Sequence, residues 1–160
     1  MDNIVISRLG KEEVDSFYEL FKSVAKTDFD DWTQESKEKW LLDDYSIEYW
    51  RTLLKEDKLP IFVAKDGEEM VGYVMLEGIN FGVAYLGWIG VLKSHQNMKI
   101  GGKLIEEMID WCKNNHLHKI ELETQETHLQ HFYEKHGFVL EGIRKNSWQN
   151  LDNYMYGKIL

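Results

Sequence analysis

Basic residues are scarce in this chain: 19 Lys and Arg stand against 28 Asp and Glu, for a net charge of −9. Nucleic-acid binding is driven by Lys and Arg that displace counterions, so no nucleic-acid partner is expected. A cationic partner is favoured instead, although an acidic surface also serves solubility. Cysteine is almost missing. The lone Cys112 cannot form an internal disulfide, which fits a reducing compartment. No apolar run reaches the ~20 residues of a membrane span, and Met1-Asp2-Asn3-Ile4 lacks the layout of a signal peptide. The expectation is a soluble, cytoplasmic chain with no membrane partner. Pro60 is the only proline, and no glycine falls between Lys11 and Pro60, so nothing there breaks a helix. Repeats, linkers and low-complexity tracts are absent as well.

What is present is a core. Of 160 residues, 43% are hydrophobic, enough apolar area for one sizeable domain spanning residues 1–160. Ile4–Leu9 alternates as an opening strand. Val14, Phe17, Phe21 and Val24 then recur at helical spacing, predicting a helix from Lys11 to about Ala25. Asp28, Asp30 and Asp31 form an acidic stretch. Thr33, an N-cap with Glu35 in the first turn, opens a second helix through Trp40 and Leu41, and a third starts near Ser46.

From Pro60 the texture becomes strand-like. Ile61–Ala64 and Met70–Leu76 flank an Asp66-Gly67 turn and predict an antiparallel hairpin. Gly78–Gly82 reads as the next loop, and Val83–Leu92 as a central strand. Lys103–Asn114 has helical periodicity, and Lys119–Thr124 alternates as a strand. Thr127-His128-Leu129-Gln130 has the form of a capping box, predicting a short helix from His128 to about His136 that stops at Gly137. Phe138–Ile143 and Tyr154–Leu160 complete the pattern as strands. The order predicts an α/β fold: a mixed sheet of about six to seven strands with helices on both faces.

The stretch Gln96-Asn97-Met98-Lys99-Ile100-Gly101-Gly102-Lys103 lies between a strand and a helix. A helix start offers unpaired N–H groups and the positive end of a dipole, so a loop wrapping it suits a phosphate or pyrophosphate. Gly101 and Gly102 allow close backbone approach. On local pattern alone, the same pair simply opens a helix after a turn. Neither GxGxxG nor GxxxxGK[ST] fits here, which removes the common dinucleotide and nucleoside triphosphate loops.

Two segments resemble the GCN5-related N-acetyltransferases (GNAT). Val91, four residues, then Gln96-x-x-Lys99-x-Gly101 is similar to that family's donor-binding loop, with Lys99 where its first glycine usually sits. An ordinary backbone conformation at Lys99, or an added cation for the pyrophosphate, is therefore expected. Phe132-Tyr133-Glu134-Lys135-His136-Gly137-Phe138 resembles the family's short helix ending in a Tyr-x-Lys-x-Gly-Phe turn, with Glu126 and Leu129 in place of the Asn and Ala that often precede it. The likeness spans about Ile61 to Leu160, including Glu141–Arg144 and Asp152–Met155.

The resemblance implies an acetyl-CoA-dependent N-acetyltransferase that acts by direct transfer in a ternary complex, without a metal. The acceptor is expected to be a primary amine of a small molecule, polyamine or peptide. A domain of this fold that binds acyl-CoA as a sensor or scaffold is the alternative. Ile89, Gly90 and Val91 would pair with the pantetheine arm, and the N–H groups from Asn97 to Lys103 would hold the pyrophosphate. Gly90 is expected at a bulge or a close backbone approach.

Tyr133 would be the general acid, since a phenol near the sulfur can protonate or stabilise the departing thiolate. Glu77, at its strand's end, and Glu123 are candidates for the base that takes the amine proton; each also reads as a solvated strand-end charge. Asp28, Asp30, Asp31 and Glu35 lie where the acceptor would be covered. His116, His118, His128, His131 and His136 lack a matching carboxylate or cysteine pattern, so no metal site is expected. Cys112 sits on an apolar stripe as an inert core residue. Trp88, Trp111 and Trp148 serve either a pocket wall or the core. A homodimer is possible, with the C-terminal strand as one route.

Overall fold

A computed structural model describes residues 4–28 and 32–160. Asp30 and Asp31 of the acidic stretch lie outside the described residues. The strands are β1 (Ile4–Arg8), β2 (Ile61–Asp66), β3 (Glu69–Asn80), β4 (Val83–Val91), β5 (Lys119–Thr124), β6 (Val139–Arg144) and β7 (Asn153–Ile159). The helices are α1 (Val14–Thr27), α2 (Gln34–Lys39), α3 (Ile47–Glu56), α4 (Ile100–Asn114) and α5 (Gln130–Lys135). One seven-stranded sheet has the order β1-β2-β3-β4-β5-β7-β6. All neighbours are antiparallel except β4 and β5, which are parallel.

The period of two in the strands sorts side chains onto two faces. Phe62, Ala64, Val74, Leu76, Ala84 and Leu86 join Leu104, Ile105 and Met108 of α4 in one cluster. Ile61, Val63, Tyr73 and Met75 join Phe17, Phe21 and Trp50 of α1 and α3 in the other. Helices therefore cover both faces, as the pattern predicts. Cys112 is buried on the α4 side, and burial pushes its thiol up to about 11, which keeps it inert.

Most local signals hold. The Thr33 hydroxyl accepts from Ser36 N–H at 3.1 Å, and the Ser46 hydroxyl caps α3 by accepting from Tyr49 N–H at 3.4 Å. Gly67, at φ +60°, makes the β2–β3 turn, and Gly137, at φ +82°, ends the short helix. Other signals are overridden. The first helix begins as a 3₁₀ turn at Lys11–Glu13, where the Glu13 carboxylate accepts from Gly10 N–H. After α2 the chain makes a π-helical turn, Trp40–Asp44. Thr127 is not the N-cap of α5: Thr127–Leu129 is itself 3₁₀, and Leu129 precedes the helix without a side-chain cap.

The expected loop Gly78–Gly82 is mostly strand. β3 runs on to Asn80, and only Phe81 and Gly82, both at positive φ, make the turn to β4. The longer strand carries a double irregularity. Leu76 pairs with Leu86, while Met75 pairs with Trp88 and Gly78 with Tyr85, so Gly87 and Glu77 are each left out of register.

Candidate active site

The parallel pairing of β4 with β5 covers only Val83–Tyr85 against Lys119–Glu121. Beyond Tyr85 the two strands part, and from Leu86 to Val91 the β5-facing edge of β4 has no strand beside it. A cleft of about 1560 Å³ occupies this region. Ile89, Gly90, Val91, Gln96, Asn97, Lys99, Ile100, Gly101, Gly102, Tyr133, Glu77 and Glu123 all line it. Met98 and Lys103 do not: Met98 packs against the α4 core, and Lys103 is exposed on the helix.

Gly90 answers to close approach rather than to a bulge. A Cβ there would lie 2.6 Å from Val24 and 3.0 Å from the Tyr73 ring, so the glycine lets α1 settle on β4. The bulge falls at Gly87, where a Cβ would lie 2.1 Å from the Glu77 side chain. Glu77 thus lies across Gly87 from within β3, not at its end.

The loop before α4 bends through two left-handed residues, Asn97 at φ +65° and Lys99 at φ +61°. Lys99 is the N-cap of α4, and Gly101 and Gly102 fall inside its first turn. The ordinary conformation expected of Lys99 is therefore not adopted; the lysine keeps the left-handed geometry a glycine would take there. That geometry costs a side-chain-bearing residue roughly 1–2 kcal/mol, and glycine's greater freedom when unfolded returns part of it. Lys99→Gly is expected to stabilise the protein by about 0.5–1 kcal/mol, read from the denaturant midpoint. A lower midpoint would mean that the lysine side chain itself holds the turn.

The glycine pair has a second use. A Cβ on Gly101 would meet the Phe132 ring at 3.5 Å, and one on Gly102 would meet His136 at 3.3 Å. Small residues here let α5 sit against the start of α4, which brings Tyr133 to the cleft. Tyr133 is 4% exposed, stacked edge-on to Phe132 and Phe138. Its hydroxyl makes no hydrogen bond among the described residues, and burial raises its pKa well above that of a free phenol.

Glu77 is held by two aromatic donors. Its Oε1 accepts from the Tyr45 hydroxyl and, at 2.8 Å, from Trp88 Nε1, which also reaches the Tyr45 oxygen at 2.9 Å. Oε2 accepts no hydrogen bond among the described residues. Tyr45 is raised far above the usual phenol range, first by burial and then by its bond to Glu77. Glu123 is tied differently: its Oε2 takes Arg144 Nη1 at 3.1 Å and Asn153 Nδ2 at 2.8 Å. Tyr85 stands between the two carboxylates, and burial, then Glu123 and Glu77, push its phenol up to about 12.

The far end of the cleft is bridged. Trp32 Nε1 donates to Gln125 Oε1 at 2.9 Å, Gln125 Nε2 donates to the Trp148 carbonyl at 2.6 Å, and Ser36 Oγ donates to Gln149 Oε1 at 3.0 Å. Trp88 and Trp148 thus line the cleft, whereas Trp111 packs against the α4 core. His128 pairs with Glu126 at 3.3 Å, and among the described residues no group of three or more His, Cys, Asp or Glu is arranged to hold a metal. No helix among them is long and apolar enough to cross a membrane.

Sequence reasoning missed Tyr45, Tyr85 and Asn153. The aromatic density from Trp40 to Trp50 was a usable signal, because it exceeds what one helical stripe can bury; a strand-end Asn carries none.

Known proteins share this architecture. A PaiA N-acetyltransferase from Thermoplasma acidophilum, solved in complex with coenzyme A, is 20% identical and superposes with a TM-score of 0.86 over 99% of each chain. A GNAT-family acetyltransferase from Streptococcus pneumoniae is 23% identical, with a TM-score of 0.81 over 99% of this chain and 100% of that one. Streptothricin acetyltransferase A of Bacillus subtilis (strain 168) is 26% identical over 110 residues, 68% of this chain. The match spans 61% of that relative's length. The model of the Acetyltransferase (GNAT) family matches residues 17–138, which takes in most of α1, the divergent strands and the Tyr133 helix, and the chain belongs to that family.

Proposed function

We propose that this chain transfers acetyl from acetyl-CoA to a primary amine of a small molecule or peptide, with donor and acceptor bound together. The parting of β4 from β5 carries this reading. An unpaired strand edge inside a cleft suits an extended arm with amide groups, which can pair with it as another strand would. Beside it, the first turn of α4 offers free N–H groups and a positive dipole end for a pyrophosphate, and Lys99 adds a cation.

In the transfer, the amine nitrogen bonds to the thioester carbonyl carbon, and the carbon–sulfur bond breaks. The backbone N–H groups of Ile89 and Val91, which point away from β3, receive the developing oxyanion. Glu77 takes the proton from nitrogen through its open Oε2. Tyr133 donates its O–H to the departing sulfur. Because burial holds that phenol protonated, its part is to stabilise the thiolate by hydrogen bonding, and the thiol gains its proton from water. Glu123, already committed to Arg144 and Asn153, serves the acceptor's binding rather than its deprotonation.

Calorimetric titration of the full chain with acetyl-CoA, CoA and ATP tests the donor site, followed by thiol release on adding amines. Saturable heat shared by acetyl-CoA and CoA, absent with ATP, is expected. No heat with acetyl-CoA in folded protein would overturn the proposal.

A further inference from the structure

Asn153 begins β7 fully buried, and its side-chain carbonyl Oδ1 has no hydrogen-bond donor. A buried acceptor left unanswered costs about 1–3 kcal/mol, and native structures keep one where a water or ligand supplies the donor. Trp50 Nε1 is the other such atom among the described residues, but Trp50 lies in the α1–α3 core. Asn153 instead lines the cleft, and so does its neighbour Glu123, whose Oε1 accepts no hydrogen bond among the described residues. Two adjacent acceptors thus stand without donors in one wall.

Their distance from Glu77 follows from the sheet order. Glu77 is on β3, Tyr85 on β4, Glu123 on β5 and Asn153 on β7, which are successive neighbours. Strands lie about 4.8 Å apart, so Glu77 and Glu123 stem from positions roughly 10 Å apart, and the divergence of β4 from β5 adds to this. One nitrogen, with a hydrogen-bond reach of about 3 Å, cannot serve both. The Tyr85 ring between them offers an apolar face to a methylene chain. Arg144 offsets the charge of Glu123. Asp43, Asp44 and Glu126, lining the same cleft, still make a cationic nitrogen a better occupant than a neutral one.

We infer that Asn153 Oδ1 and Glu123 Oε1 form a subsite for a second ammonium of the acceptor, so that the preferred substrate is a linear diamine. The inference rests on the reading that Glu77 receives the reacting nitrogen.

The test is thiol release from acetyl-CoA by the full chain, with linear alkyl diamines of increasing length against monoamines of matched length. The kcat/KM for the best diamine should exceed its monoamine by about tenfold, through KM, with an optimum in chain length. Asn153→Leu should cut that ratio severalfold; Glu123→Gln, whose amide oxygen can still accept from Asn153 Nδ2, should cut it as well. A ratio near one at every length, with monoamines turned over, would overturn the subsite and leave the transfer reading intact. Thiol release with no amine at all, despite bound acetyl-CoA, would overturn both.

Discussion

Tyr133→Phe is expected to slow acetyl transfer by about 10²-fold in kcat while acetyl-CoA still binds. The substitution is clean. The Tyr133 ring is packed against Phe132, Phe138 and Tyr156, with centroid distances of 5.3, 6.0 and 6.0 Å, and phenylalanine keeps all of that contact. No internal hydrogen bond is lost, so folding should not suffer. What disappears is the one O–H that the proposed transfer uses to stabilise the thiolate. Single-turnover thiol release, beside calorimetry for the donor, separates chemistry from binding. Equal rates for the two proteins would remove Tyr133 from the mechanism. A protein that binds acetyl-CoA and never turns over, with tyrosine or phenylalanine alike, would be a binding module of this fold.

A comparable loss, about 10²-fold in kcat/KM near neutral pH, is expected of Glu77→Gln. Glutamine can keep accepting from Tyr45 and Trp88 through Oε1, so the network survives while the charge goes. The deficit should depend on pH. Alkyl amines titrate near pH 10, so below that value most acceptor is protonated and must lose a proton to react. With glutamate in place the rate should level off well below pH 10; with glutamine it should keep climbing toward that value. Tyr45 and Tyr133, both raised by burial, remain protonated throughout and add no downward limb. Parallel pH profiles would show that Glu77 holds the amine without accepting its proton.

Much of the fold could be read from short-range chemistry. Thr33, Ser46, Gly67 and Gly137 act within a few residues, and their turns and caps form as the local pattern predicts. Failures occurred where distant parts decide. Thr127 has a good cap sequence, but Thr127–Leu129 turns as 3₁₀ and α5 starts only at Gln130. Gly78 and Asn80 suggest a loop, yet pairing with β4 carries them as strand once Glu77 and Gly87 slip out of register. Lys99 adopts a conformation that its own chemistry disfavours, because the strand before it and the helix after it fix both ends of the turn.

The residues that line the proposed donor side could be named because they are nearly contiguous: Ile89–Val91, Gln96, Asn97, Lys99–Gly102 and Tyr133 lie in two compact segments. On the acceptor side Glu77, Glu123 and Trp88 could be named, but their partners Tyr45 and Asn153 could not. Tyr45, Glu77 and Trp88 come from three separate elements and meet only because the turn after α2 packs Trp40 and Tyr45 against Trp88. Asn153 is distinguished by burial alone, and burial is a property of the whole fold.

The short contact between β4 and β5 has a wider meaning. Each side of that joint closes its own hydrogen bonding, β1 to β4 on one hand and β5, β7 and β6 on the other, and only three register pairs stitch them together along the sheet. Glu77 belongs to one jaw; Tyr133, Glu123 and Asn153 belong to the other. On the proposed reading the donor would lie along the joint, and turnover would depend on the alignment of the two jaws. A donor bound there would bridge both jaws, so its binding should raise the stability of the folded chain as a whole.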